Sequence, residues 1–274
     1  MECPACGACL SYSDSSIVVC NICGHRWLNL TEEGHHSVEV ATFTHDYVGY
    51  QPDPRYIKSA RHIGRSQLIT RVPPPGRVLD VGCGAGDFMM VAQTLGYEVE
   101  GIDISTASAE ICRARGLKAR AEDFLTCEFD NKVDLITMWD VVAHLRNPAA
   151  FFSRARSLLT DRGLLFIKTP AFGDLSVMLS KGWPRLARTL LGAPSHVQYF
   201  DQESFSALLL RTGFEPEWID ASQARSRGAG GSLKRRLGRH IRRGIGLLSG
   251  DSNLYVVGHP TAEAELQSSS QRKS

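Results

Sequence analysis

Short apolar runs alternate with helix-like stretches along residues 77–219, and this alternation restricts the fold more than any other feature of the chain. The predicted strands are Arg77–Val81, Glu98–Ile102, Lys118–Ala121, Val133–Met138, Gly163–Lys168, Glu215–Ile219 and Asn253–Val257. The predicted helices are Asp87–Leu95, Ser105–Arg115, Pro148–Leu159 and Gln202–Arg211. Such alternation predicts an α/β fold, with a mostly parallel sheet covered by helices on both faces. Ligands of these sheets bind at the carboxyl ends of the strands.

The first predicted strand runs into Asp80-Val-Gly-Cys-Gly-Ala-Gly-Asp87, where three glycines lie between two acids. A dinucleotide site needs a third glycine where Asp87 stands, so that the pyrophosphate can rest on the next helix. Two carboxylates beside the loop would also repel a diphosphate. They favour a cation, and S-adenosylmethionine carries a sulfonium and an ammonium but no phosphate.

Two more acids follow the next strands. Asp103 ends the second strand, where a carboxylate can accept both hydroxyls of a ribose. Asp123 follows the third strand and is placed to accept from an adenine amino group, while Phe124 covers the ring. The alternative role for Asp123 is that of a helix N-cap.

The motifs Val78–Gly86, Gly101–Ile104, Ala121–Phe124 and Asp134–His144 resemble those of class I S-adenosylmethionine-dependent methyltransferases, in particular a bacterial small-molecule group with a cysteine-rich N-terminal module. The resemblance covers residues 75–260 and implies a Rossmann-like sheet of seven strands, the last one antiparallel. It implies that Asp80, Gly82 and Gly84 hold the methionine end of the cofactor, Asp103 the ribose, and Asp123 with Phe124 the adenine. Gly86, Ile104 and Trp139 complete the implied cofactor set.

Residues 31–74 are predicted to be a connector followed by a helix over Pro54–Arg71, which the prolines at 73–75 end. The resemblance implies that Tyr47 and Tyr50 of this connector help to cover the cofactor. The alternative is that both tyrosines are surface anchors.

Two CxxC motifs, Cys3–Cys6 and Cys20–Cys23, lie thirteen residues apart near the start of the chain. Four thiolates in two such hooks form a closed tetrahedral shell, which predicts a structural zinc in a ribbon module of residues 1–30. Iron in a rubredoxin-like site is the alternative metal. A module this short lacks an adequate core, so a metal would stabilise it.

Methyl transfer to a hydroxyl group requires alignment of donor and acceptor and removal of a proton. His144, after the fourth strand, and His196 are the candidate bases, because imidazole titrates near neutral pH. The alternative for His144 is a structural hydrogen-bonding role. Methyltransferases of the quinone type commonly carry Glu-His at this point, where the acid is implicated in metal binding. This chain has Ala143-His144, so metal assistance is not expected.

Residues 170–200 interrupt the strand and helix alternation, and their apolar content predicts a cover over an apolar acceptor. The alternative is a subdomain that packs on itself. Residues 221–250 contain eight Lys or Arg and no acid, with apolar residues at helical spacing. Three alternatives are open for a basic amphipathic helix there: it contacts an anionic membrane, binds RNA phosphates or packs on the sheet edge. A polar tail over residues 261–274 is predicted to be disordered.

The leading hypothesis is methyl transfer to a small-molecule or lipid-linked acceptor, at oxygen. The alternatives are a zinc-ribbon RNA methyltransferase and a non-catalytic zinc-ribbon binding module. Lys+Arg 31 against Asp+Glu 29 gives a net charge of +2, which does not favour nucleic acid. The Asp/Asn-Pro-Pro-Tyr/Phe turn of amino methylation and the cysteine of carbon-5 methylation are both missing after the fourth strand. The start Met-Glu-Cys-Pro lacks the features of a signal peptide, so a cytoplasmic location, with peripheral membrane contact as a further possibility, is expected.

Overall fold

The computed structural model describes residues 1–10, 17–31, 34, 50–172, 192, 194–219 and 253–261. The strands in these described ranges are β1 Ile17–Val19, β2 Arg26–Leu28, β3 Arg77–Val81, β4 Glu98–Asp103, β5 Lys118–Ala121, β6 Val133–Trp139, β7 Leu159–Pro170, β8 Gln198–Tyr199, β9 Phe214–Trp218 and β10 Asn253–Pro260. The main helices are α1 Pro54–Ile63, α2 Asp87–Thr94, α3 Thr106–Ala114, α4 Pro148–Leu158 and α5 Gln202–Arg211. None of the described helices is long and apolar enough to cross a bilayer.

Seven strands form the main sheet in the order β5-β4-β3-β6-β7-β10-β9. The pairs β5–β4, β4–β3, β3–β6 and β6–β7 are parallel, whereas β10 runs antiparallel to both β7 and β9. The strand order reverses between β3 and β6, which places a ligand crevice at the carboxyl ends of these strands. The predicted seven-stranded α/β sheet with an antiparallel last strand is confirmed.

The sheet is buried on both faces, as a parallel sheet must be. Neighbouring residues of β6 belong to opposite cores: Leu135 packs with Phe88 beneath α2, and Ile136 packs with Phe152 beneath α4. This arrangement leaves the carboxyl edge of the sheet as the place where polar side chains can gather.

Most predicted boundaries agree with the structure. The bounds of β3 and β5 are those predicted, while β7 begins at Leu159, four residues before the predicted start. The predicted helix Pro54–Arg71 is helical throughout, but its middle, Gly64–Leu68, is a π-helical turn. The basic segment 221–250, and most of the connector and of the cover segment, lie outside the described residues.

The N-terminal module forms a second, antiparallel sheet in the order β1-β2-β8. Strand β8 comes from the end of the segment 170–200 and pairs with β2, with Trp27 opposite Gln198. Cys3 and Trp27 belong to the same hydrophobic core as Phe205 of α5. The sheet of residues 1–30 is thus completed by a strand from the larger domain.

Candidate functional site

A cavity of about 990 Å³ lies at the carboxyl ends of β3, β4 and β6. The predicted site residues that line it are Asp80, Gly82, Gly84, Asp103, Ile104, Phe124, Trp139 and His144. Gly86, Asp123 and His196 are not among its lining residues. The four chain segments that carry the motifs therefore meet at one place.

The glycine loop between β3 and α2 has a conformation that other residues would strain. Gly82 has φ 68°, and a Cβ there would lie 2.5 Å from Val141 Cγ2, which follows β6. Gly86 has φ 82°, and a Cβ there would lie 2.4 Å from Leu117 Cδ1. Gly82 thus lets the ends of β3 and β6 approach each other, and Gly86 lets α2 pack beside α3 without itself facing the cavity.

Asp103 connects the glycine loop to the start of α3. Its Oδ2 accepts from the backbone N–H of Gly84 at 2.9 Å, and its Oδ1 accepts from that of Ser105 at 2.9 Å. Burial raises the pKa of Asp103, while these two N–H donors lower it. Each oxygen keeps a second lone pair, so the carboxylate can still accept two hydroxyl groups.

Asp80 lies at the end of β3 and is 2% exposed. The hydroxyl of Thr137 on β6 donates to its Oδ1 at 2.6 Å. Burial raises the pKa of Asp80 to about 7, the Thr137 hydrogen bond opposes this rise, and the Asp103 charge adds to it. A cation bound in the cavity would favour the ionised form of Asp80.

Asp87 is neutralised within the protein. Its Oδ1 accepts from Arg115 Nη1 at 2.9 Å, and its Oδ2 accepts from the Tyr50 hydroxyl at 2.5 Å. The Arg115 guanidinium also lies 5.5 Å from the centre of the Tyr50 ring. The argument against a diphosphate therefore rests on Asp80 and Asp103, whereas Asp87 anchors Tyr50 at the cavity wall. Tyr47 lies outside the described residues.

At the end of β5, the neighbours of Asp123 face the cavity and Asp123 does not. Its Oδ1 accepts from the backbone N–H of Leu125 at 2.8 Å, so the carboxylate stabilises a turn. Glu122 and Phe124 line the cavity instead. Phe124 is 3% exposed and packs against Phe151 with a ring-centre distance of 5.5 Å. Asp123 thus accepts from a backbone N–H two residues later, as an N-cap residue does.

His144 lies in a short 3-10 turn, Val142–His144, after β6. Its Nδ1 is 2.7 Å from the carbonyl oxygen of Ser195, which can only accept, so Nδ1 carries the proton and Nε2 the lone pair of the neutral ring. Burial lowers the pKa of His144, and the Ser195 carbonyl opposes this effect. The nearby His196 lowers the pKa further and Asp140 raises it.

His196 lies behind His144, with 4.9 Å between the two ring centres. Its ring packs on Gly192, where a Cβ would lie 2.4 Å from His196 Nδ1. The rings of His196 and Phe172 meet in a T-shaped arrangement, with 5.8 Å between their centres. His196 therefore supports the wall that holds His144 and does not line the cavity.

A polar cluster that the sequence did not indicate lies at the exit of β6. Asp140 has φ 59°, and its carboxylate accepts from the Lys168 ammonium of β7. The Lys168 ammonium lies 5.8 Å from the centre of the Tyr56 ring, which meets Trp139 edge-on. Burial raises the pKa of Tyr56 well above its usual value, and the charge of Asp80 adds to this. Two sequence positions could have pointed to this cluster. Asp140 directly follows Trp139 at the end of β6, and Lys168 is the last residue of the predicted fifth strand.

The four predicted metal ligands meet in the N-terminal module. The Sγ atoms of Cys3, Cys6, Cys20 and Cys23 all lie within 4.8 Å of one another. The Cys3–Cys23 and Cys6–Cys20 pairs are each 3.7 Å apart. Four sulfurs about 2.3 Å from a tetrahedral zinc are about 3.8 Å apart, so this shell fits the ion. Cys9 is exposed and does not belong to the cluster.

Comparison with known proteins decides the family. A family model described as a methyltransferase domain matches residues 34–217. The chain belongs to this methyltransferase family. The resemblance to class I S-adenosylmethionine-dependent methyltransferases is thereby confirmed.

Among curated methyltransferases, the ubiquinone biosynthesis O-methyltransferase of Xanthomonas campestris pv. campestris is 32% identical over 158 residues, which are 53% of this chain and 65% of the relative. The protein of the same name from Xanthomonas axonopodis pv. citri is 30% identical over 157 residues, 53% of this chain and 64% of the relative. The match spans less than two thirds of the length of these relatives.

Among solved structures, a SAM-dependent methyltransferase from Archaeoglobus fulgidus shares the fold with a TM-score of 0.52 at 19% identity, over 81% of this chain and 98% of that one. The magnesium protoporphyrin IX methyltransferase of Synechocystis, solved with bound SAH, gives a TM-score of 0.50 at 15% identity, over 81% of this chain and 92% of that one. At these identities the likeness concerns the fold alone.

The buried carboxyl of Asp80 predicts a pH-dependent stability of the ligand-free methyltransferase. An unfolded Asp titrates near about 3.9, whereas burial raises the pKa of Asp80 to about 7 in the folded state. Between these values the folded state binds more protons, so stability falls as pH rises. Urea unfolding should show the wild type losing about 2 kcal/mol relative to Asp80→Asn between about pH 5.5 and about pH 8.

Asp123→Asn is the matched control, since its carboxyl is exposed, and it should keep the wild-type pH dependence. An Asp80→Asn variant with the same pH dependence as the wild type would show that Asp80 does not carry this proton.

Proposed function

We propose that the chain transfers the methyl group of S-adenosylmethionine to a hydroxyl group of a small-molecule or lipid-linked acceptor. The observation that carries the proposal is a pair of carboxylates, the buried Asp80 and the partly buried Asp103, beside a glycine loop, all of which line one cavity. These groups suit a cationic nucleoside and oppose a diphosphate. S-adenosylmethionine supplies, when bound, a methyl group activated by a sulfonium.

Different lining residues would bind different parts of this cofactor. Gly82 and Gly84 allow close approach to the backbone at the methionine end, next to Asp80. Asp103 keeps lone pairs for the ribose hydroxyls. Ile104 and Phe124 supply apolar contact for the adenine. Glu122, and not Asp123, is the acid that lies beside the adenine.

Calorimetry with S-adenosylmethionine tests the cofactor assignment. Asp103→Ala should lower the affinity about 10²- to 10⁴-fold, because two charge-assisted hydrogen bonds of about 1.5–3 kcal/mol each are lost along with the loop contact to Gly84. Asp123→Ala is the control: its side chain stabilises only a turn outside the cavity, and binding should change less than about twofold.

The same titration with NAD should show no binding to the wild type. Unchanged affinity for S-adenosylmethionine in Asp103→Ala would contradict the ribose assignment, and tight binding of NAD would contradict the cofactor.

Oxygen as the acceptor atom is supported by His144 and by the names of the curated relatives, which are O-methyltransferases. A hydroxyl acceptor must lose a proton as the methyl group arrives. With Nδ1–H directed to the Ser195 carbonyl, His144 has its lone pair on Nε2, and burial keeps the ring neutral at neutral pH. We assign His144 as the general base and His196 as its support.

His144→Asn should lower kcat about 10²- to 10⁴-fold, the usual contribution of a general base, with little change in S-adenosylmethionine affinity. Because burial lowers the pKa of His144 below its usual value, wild-type kcat/KM for the acceptor, measured with saturating S-adenosylmethionine so that Asp80 stays ionised, should fall with acid only below about pH 6.5. Catechol and a prenylated phenol are the probe acceptors. Their methylation rates give kcat and the pH dependence of kcat/KM.

His196→Asn is the comparison variant and should retain at least about a tenth of the wild-type kcat. If His196→Asn loses more activity than His144→Asn, the two roles are reversed.

A structural zinc in the Cys3, Cys6, Cys20 and Cys23 shell is the second part of the proposal, supported by the sulfur distances. Elemental analysis should find one zinc per chain, lost in Cys20→Ser and retained in Cys9→Ser, because Cys9 is not in the cluster. Stoichiometric iron, or full zinc content in Cys20→Ser, would contradict the assignment. Contact of residues 221–250 with an anionic membrane stays a prediction from the sequence.

A further inference from the structure

A four-residue segment, Ser195–Gln198, lies between the turn that carries His144 and the cysteine module. Each side of this segment makes hydrogen bonds of normal length, to the turn on one side and to the module on the other. We call it the bridge. It lies in the described end of the segment that was predicted to cover the acceptor.

The backbone of Val197 joins the two sides directly. Its N–H donates to the carbonyl of Ala143, the residue before His144, at 2.8 Å. Its own carbonyl accepts from the N–H of Leu28, at the end of β2, at 2.9 Å. Two residues earlier, the carbonyl of Ser195 accepts from His144 Nδ1.

The side chain of Gln198 makes a second connection and is 3% exposed. Its Nε2 donates to the carbonyl of Leu145, the residue after His144, at 3.0 Å. Its Oε1 is therefore the acceptor that faces His25 Nε2, at 2.7 Å, so His25 donates there.

His25 itself belongs to the module. Its carbonyl accepts from the N–H of Cys20 at 2.7 Å, and its ring stacks on Phe200 with 4.3 Å between centres. The side chain of Gln198 thus connects His25, two residues after the predicted metal ligand Cys23, to the turn that carries His144. Both residues on either side of His144 are held by the bridge.

We infer that Gln198 is a positioning residue, through which the folded cysteine module fixes the orientation of the His144 ring. This inference rests on the proposed role of His144 as the base. A structural metal contributes folding free energy to a module of this size, and its loss would loosen the module. Without it, β2 and His25 would no longer hold Val197 and Gln198, and the bridge would release the turn. A displacement of about 1 Å at a reacting group can cost about a hundredfold in rate.

The test uses two variants that cut the Gln198 connection at opposite ends. Gln198→Met keeps the length of the side chain but removes its hydrogen bonds to His25 and to the carbonyls of Leu145 and Arg146. His25→Phe keeps a stacking ring against Phe200 but removes the donor to Gln198. In each, kcat with catechol should fall about ten- to a hundredfold, while the S-adenosylmethionine affinity from calorimetry stays within about twofold.

The double variant separates positioning from general damage. If the two residues act through one connection, Gln198→Met with His25→Phe should be no slower than the slower single variant. Effects that multiply would overturn the inference. So would a parallel loss of cofactor affinity, which indicates a disturbed domain.

A spectroscopic measurement tests the same connection without catalysis. In the wild type with bound zinc, NMR of histidine-labelled protein should show a slowly exchanging Nδ1–H on His144, identified by its loss in His144→Asn. Gln198→Met, or removal of zinc by a chelator, should broaden or abolish this signal, and added zinc should restore it. An unchanged signal in both cases overturns the inference.

The two proposals fail in distinguishable ways. Full activity in His144→Asn would refute the role of His144 as the base. The Nδ1–H signal of the wild type would still report whether the bridge positions the His144 ring. Glu2→Gln is the control for the module, because it breaks the Arg211 ion pair that holds the module on α5 at a place away from the bridge. It should leave both kcat and the ring signal unchanged.

Discussion

The hydrogen bonds between the Asp103 carboxylate and the backbone N–H groups of Gly84 and Ser105 are the interaction on which the cavity depends. They hold the glycine loop against the end of β4 and keep a charge close to the buried Asp80. Two neighbouring carboxylates, one buried and one partly buried, are costly unless a positive group compensates for them. The ligand-free pocket is thus arranged for a cation, and this explains why the loop carries acids where phosphate-binding loops do not.

The second feature of the site is that its proposed base is oriented by distant parts of the chain. His144 follows β6, but its ring is held by Ser195, and the turn around it is held by Val197 and Gln198. The bridge in turn completes the sheet of the cysteine module through β8. None of the described residues of this module lines the cavity, yet the module contacts the bridge that holds the turn of the proposed base.

Local patterns in the sequence were sufficient for the sheet, the glycine loop and the cysteine shell. Strand and helix periodicity is a property of neighbouring residues, and the boundaries of β3 follow from it. The Lys168–Asp140 pair, the placement of Tyr56 and the pairing of β8 with β2 could not be predicted, because each depends on contacts between segments far apart in sequence. Asp123 was assigned by its position after a strand, although a shift of one residue decides whether Glu122 or Asp123 faces the cavity.

A crystal structure of the protein with S-adenosylhomocysteine would test the central claim most directly. The account predicts the ribose hydroxyls on the Asp103 carboxylate, the amino acid end beside Asp80 and the glycine loop, and the sulfur on the side of the cavity that His144 lines. A nucleoside bound elsewhere, or bound with its sulfur turned away from His144, would contradict it.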